Sequence, residues 1–177
     1  MLLKHQEGPI KFYELIEAMQ RLNLEESYGL HQLVRTKIKE GNFSRDAYDI
    51  SISLAYFSRV LKRKNKEDME VYSQILKDIK FMEVHHLRSQ HLQYLLEGLK
   101  VGLPFLDEPQ LQIVRETIPS LIDSIDKDLH RFNFRNLINM LMSFEEIHSG
   151  PYDLMKRDQM AQIHRMVNKY LVEYVSQ

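Results

Sequence analysis

The chain has 177 residues and a mass of 21.2 kDa, a size that suits one domain or a short repeat array with a single continuous core. With 44% apolar and 28% charged residues, six Gly and five Pro, the composition is neither disordered nor collagen-like, and the absence of cysteine excludes a disulfide framework, a thiolate zinc site, an iron–sulfur cluster and a cysteine nucleophile. Lys and Arg number 24 against 25 Asp and Glu, so the net charge of −1 lacks the basic field of a generalist nucleic-acid binder.

The start, Met1 to Pro9, has too short an apolar stretch for a signal peptide and too few Arg and Ser for a transit peptide. No stretch approaches the ~20 consecutive apolar residues of a membrane span, because charge interrupts every apolar cluster.

Apolar residues recur at three- and four-residue steps, the sign of amphipathic helices, and eight helices are expected. The first spans about Lys11 to Leu22, with Phe12, Leu15, Ile16, Met19 and Leu22 on one face. Asn23, with Glu26 three residues on, forms a capping-box pattern for a second helix that Gly41 stops. Ser44 caps a third through Tyr56 or Phe57. A basic loop follows, then Asn65 with Glu67 and Asp68 starts a fourth, whose end near Met82 is poorly marked. The fifth runs from about Ser89 to Val101, where Gly102, Leu103 and Pro104 stop it. Asp107 caps the sixth, and Pro119 inside its apolar pattern predicts a kink or a break. The seventh spans about Asn133 to Ile147. The eighth starts near Asp153 and carries Met160, Ile163, Met166, Val167, Tyr170, Leu171 and Tyr174.

These helices fall into four pairs, at about 9–41, 42–84, 85–128 and 129–177, within a single domain of residues 1–177. The first helix of each pair carries a related octad, beginning at Leu15, Ile50, Leu95 and Leu137. Positions one and five are apolar in all four. Position four is Ala18, Ser53, Gly98 and Met140, small in three of the four, which lets neighbouring helices approach closely. The octads are 35, 45 and 42 residues apart, a spacing typical of two-helix repeats. The expected fold is all-α, with eight helices in four antiparallel pairs forming a short α-solenoid; the alternative is an irregular helical bundle.

The segment Phe134 to Phe144, with Ser89 to Leu99 as its weaker partner, resembles the degenerate helical-pair repeats of organellar RNA-associated proteins, the octotricopeptide, heptatricopeptide and FAST-kinase-like group. The resemblance implies a concave face able to hold single-stranded RNA, or a protein scaffold in a mitochondrial or plastid ribonucleoprotein assembly, and with it a mitochondrial location.

Arg59, Lys62, Arg63, Lys64 and Lys66 place five cations in eight positions after the third helix. Such a patch neutralises a few phosphates; the bland reading is a solvated loop beside acidic Glu67, Asp68 and Glu70. Charge by pair is 0, +1, −3 and +1, so any RNA contact is local. Tyr56 and Phe57 read as core. The two Glu-x-x-His spacings, Glu83 to His86 and Glu145 to His148, are unremarkable where this composition gives roughly 0.7 by chance, and His85, His86 and His91 lack zinc spacing. Asp123, Asp126 and Asp128 read as a solvated face. No metal or other cofactor is expected. Nucleophile-elbow and phosphate-loop motifs are missing. Met140, Met142, Met155, Met160 and Met166 read as core filler, some able to line a partner groove.

The sequence thus points to a non-enzymatic helical-repeat scaffold, a structural subunit of a large assembly such as a mitochondrial ribosome. Its partners are protein subunits, with a possible local RNA contact. The alternatives are an organellar single-stranded RNA-binding repeat protein and, more remotely, a helical enzyme with an unrecognised site.

Overall fold

The computed structural model describes residues 12–22, 27–41, 46–63, 65–82 and 88–175. The protein is all-α. The helices are α1 (Phe12–Arg21), α2 (Tyr28–Lys39), α3 (Ala47–Val60), α4 (Lys66–Asp78), α5 (Ser89–Gly102), α6 (Glu108–Lys127), α7 (Phe134–Ser149) and α8 (Arg157–Val175). Short 3₁₀ turns extend α3, α4, α5 and α6.

Several boundaries follow from local chemistry. Asn65 accepts from the Glu67 amide at the start of α4, and Asn133 accepts from the Asn136 amide at the start of α7. Asp107 and Gln110 form a reciprocal capping box for α6. Other boundaries differ from expectation. Ser27, not Asn23, is the N-cap of α2, and its carbonyl accepts the first helical bond from the His31 amide. Asn23 and Glu26 lie outside the described residues. Asp46 caps α3, accepting from the amides of Tyr48 and Asp49, and the expected cap Ser44 also lies outside them. Helix α3 runs three residues beyond Phe57, with Ser58 and Val60 of its last turn still buried. Helix α8 starts at Arg157 and not near Asp153: Asp153 has φ +47°, which a helix start does not allow, while buried Leu154 and Met155 pin the connecting loop to the core.

Helix α6 is continuous through Pro119, so the break is not found. Proline forfeits the bond to the Arg115 carbonyl. Its ring sits on the exposed side, while Leu111, Val114 and Ile118 before it and Leu121, Ile122 and Ile125 after it enter one core that holds both halves in line.

The helices pack in an ordered way. In one row α1 lies against α3, α3 against α5 and α5 against α7; in a second, α2 lies against α4, α4 against α6 and α6 against α8. Contacts of α3 with α4 and of α7 with α8 join the rows.

The tightest seam is between α3 and α5. The run Ile50 to Ser58 is apolar or small all round, and every residue of it is buried, as a helix without a polar face requires. Gly98, at octad position four, rests on α3 so closely that a Cβ there would lie 2.8 Å from the Ala55 nitrogen and the Leu54 carbonyl carbon. From α4, the buried Tyr72 hydroxyl donates to the Gly98 carbonyl at 2.9 Å and occupies the space a side chain at Gly102 would need. Burial raises the Tyr72 phenol pKa. The two glycines thus admit α3 and Tyr72 to the same helix.

Candidate functional site

Three constellations stand out, and the first is the basic corner. Arg59 lies on the last turn of α3, half-exposed, with its guanidinium 2.8 Å from a Glu97 carboxylate on α5. It is committed to a seam between helices and is not a spare phosphate ligand. Lys62, in the following 3₁₀ turn, and Lys66, at the first position of α4, are exposed. Lys64 lies outside the described residues, and only the backbone of Arg63 is described. The corner therefore offers Lys62 and Lys66 beside the positive end of α4, where Glu67 and Glu70 are paired with Arg35 and Lys39 of α2. An open groove of about 400 Å³ runs from Lys66 along α4 to the start of α6, lined also by Met69, Ser73, Lys77 and Phe105. Inside it, Ser73 and Gln110 are hydrogen-bonded to each other. Tyr56 and Phe57 are fully buried core, as the sequence suggests.

A second constellation was not anticipated from the sequence. His31 and Arg35, four residues apart on α2, face Tyr56 of α3 and Asp68 of α4. His31 Nε2 donates to Asp68 Oδ1 at 2.8 Å, and its Nδ1 lies 2.9 Å from the Tyr56 hydroxyl. Arg35 approaches the same carboxylate at 3.4 Å and Glu67 at 2.6 Å. A phenol, an imidazole and a carboxylate in series form a proton-relay geometry, but Tyr56, His31 and Asp68 are all buried. Enclosed in this way, the chain of hydrogen bonds fixes α2 to α3 and α4, with each polar group satisfied by another. Its one sequence signal was an i, i+4 His–Arg pair on the apolar side of α2.

The third is an aromatic column at the starts of the first-row helices. Tyr48 stacks on His91 with ring centroids 4.4 Å apart and lies 4.7 Å from Tyr13. The Tyr48 hydroxyl donates to Glu17, and burial together with that carboxylate raises its pKa. Burial, with Arg88 adding to it, lowers the His91 pKa. His91 Nδ1 accepts from the Arg88 amide, closing the first turn of α5. The faces of Tyr48 are already covered by its neighbours, so the column joins α1, α3 and α5.

Among the described residues no group of three His, Asp or Glu side chains is placed to hold a metal ion. His85 and His86 lie outside them. His148 donates to the Met155 carbonyl, and Glu145 lies 3.4 Å from His164 on α8. Asp123 and Asp126 are exposed. Met140, Met155, Met160 and Met166 are buried core, whereas Met142 is 54% exposed. Among the described residues no helix is long and apolar enough to cross a membrane.

The exposed large apolar side chains have a distinct distribution. They are Leu22 in the turn after α1, Tyr28 and Leu33 on α2, Phe134 and Met142 on α7 and Val172 on α8. All belong to the first or the last pair. At about 100° per residue, Leu33, Met142 and Val172 fall nearly opposite the buried stripes of their helices, on sides turned away from the core.

No family model, curated protein or solved structure matches the chain. The residues define an all-helical protein whose middle is closed by small-residue and polar seams and whose two ends carry exposed apolar surface.

Proposed function

We propose that this chain is a non-enzymatic helical-repeat scaffold, a short α-solenoid that serves as a structural subunit of a larger assembly. The observation that carries this reading is the placement of the exposed large apolar residues just after α1 and on α2, α7 and α8, with none among the described residues of α3 to α6. Free-standing repeat arrays need end units with a polar outer face, and apolar side chains left exposed on the end units depart from that requirement. The row-wise packing of the helices supports the repeat reading, and the octad resemblance makes a mitochondrial ribonucleoprotein such as the mitochondrial ribosome the most concrete setting.

Sedimentation of the native chain tests this. Migration with a large particle is expected, and release from it by Leu33→Ser with Met142→Ser, in a variant that keeps its helical content and melting curve. Sedimentation of the native chain as a free monomer overturns the proposal.

A second reading, single-stranded RNA binding, is favoured only by the exposed Lys62 and Lys66 beside the start of α4. It calls for salt-dependent RNA affinity that Lys62→Ala with Lys66→Ala flattens, the slope falling by about two phosphate contacts.

A further inference from the structure

The groove between α4 and the start of α6 carries its charge unevenly. Lys66, Glu70, Ser73 and Lys77 recur at four-, three- and four-residue steps, and at about 100° per residue they form one stripe along the groove side of α4. Both lysines are exposed, and they stand eleven residues apart, about 16 Å along a helix that rises 1.5 Å per residue. Met69 lies between them on the helix, and Phe105, in the turn after α5, lines the same groove. Both are half-buried against the core, so the groove has an apolar patch between its two cations.

The other polar groups of the groove are already engaged. Glu70 is paired with Lys39 of α2 at 3.3 Å. The Ser73 hydroxyl donates to the Met69 carbonyl and accepts from the Gln110 side chain, whose oxygen accepts from the Asp107 amide. Gln74 donates to the Ile38 carbonyl, and the Asp107 carboxylate caps α6. Among the described residues, the Lys66 and Lys77 ammonium groups make no hydrogen bond or ion pair. Two unpaired positive charges thus flank apolar surface.

Their spacing decides which kind of anion fits. A nucleic-acid strand carries a charge at every phosphate. Following this groove, it would bring phosphates past the Glu70 and Asp107 carboxylates and lay a charged backbone over Met69 and Phe105. A peptide places charge only where a side chain carries it. In an extended segment alternate side chains share a face, so an acidic residue, an apolar residue and a second acidic residue at every other position all point the same way. The two carboxylates are then about 13 Å apart, and the flexible lysine stems close the remainder.

We propose that this groove binds an extended acidic segment of a partner protein, with one apolar side chain against Met69 and Phe105 and a carboxylate on each of Lys66 and Lys77. The inference rests on the scaffold reading for the partner's role, and names the segment that docks. Both ion pairs are exposed, so the segment alone binds weakly and the rest of the partner adds to its affinity.

NMR titration of the purified full chain, carbon-13-labelled at its methionine methyls, with the capped peptide Glu-Ser-Leu-Ser-Glu tests this. The expected result is a saturable shift of the Met69 methyl signal that added salt weakens. Lys66→Ala and Lys77→Ala each weaken binding about two- to fivefold, the range of an exposed ion pair, and leave the melting curve unchanged. Lys66→Glu with Lys77→Glu loses the acidic peptide and gains Lys-Ser-Leu-Ser-Lys, which restores the pairs in reverse. Replacing the peptide's Leu by Ser weakens binding about tenfold. A Met69 signal that stays in place, binding indifferent to both lysines, or an oligouridylate that moves the Met69 signal where the peptide does not overturns the inference. A chain that migrates with a large particle but ignores the peptide overturns the groove alone. A free monomer that binds the peptide overturns the scaffold reading alone.

Discussion

The seam between α3 and α5 and the outer side of α1 use the same octad position for opposite ends. At the seam, Gly98 is buried and brings α5 down onto the α3 backbone. On α1, Ala18 occupies that position and is exposed, as is Met142 on α7 at the position of Ala55. Interior helices bury these positions within the chain, whereas the terminal helices carry small or apolar residues at them that stay exposed. The comparison teaches that the residues at a repeated position are set by the packing role, and that exposure at the ends marks where the packing order stops.

The interior half of that comparison breaks most severely at the polar junction of α2, α3 and α4. Asp68→Ala removes the carboxylate that His31 and Arg35 share, leaving buried polar groups unpaired, and should cost about 3–5 kcal/mol in denaturant unfolding. A loss no larger than that of an exposed substitution would show that α2 is held by its apolar face alone. Gly98→Ala comes next. The atoms a Cβ would meet are backbone atoms of Leu54 and Ala55, which cannot swing aside, so α5 must lift from α3 at a cost of about 1–3 kcal/mol. The equivalent change on the open side, Ala18→Ser, should alter stability by less than about 0.5 kcal/mol. Equal costs at the two positions would abolish the distinction between seam and end.

A smaller effect concerns pH at the aromatic column. The folded His91 pKa lies below its ordinary value of 6.5, so the unfolded chain binds the proton more readily. The contribution of this residue is present above pH 6.5 and is lost as the pH falls below it toward the folded-state value. His91→Gln, which cannot be protonated, should flatten the stability profile on the acid side of pH 6.5. An unchanged profile would place that dependence elsewhere.

How much of this was legible in the sequence depends on the distance between cause and effect. Asn65, Asp107 and Asn133 announce their helices because a cap bonds an amide two or three residues away. The small residue at Gly98 signalled a close approach, but not that Tyr72 would share the opening. Arg59 read as part of a basic patch, and its ion pair with Glu97 lies 38 residues away in sequence. Asp153 read as a helix start, because a residue name does not reveal a left-handed backbone.

The sequence by itself determined that this is an all-α chain, with the eight helices found among the described residues, which of their faces turn inward and where most of them begin, because helical periodicity and capping are short-range properties. Only the tertiary structure decided which cations are consumed by seams, that His31, Tyr56, Asp68 and Arg35 converge, that α6 runs through Pro119, and that the exposed apolar residues gather at the two ends. Those outcomes depend on which helices become neighbours, and that choice is made by shape and burial over the whole chain.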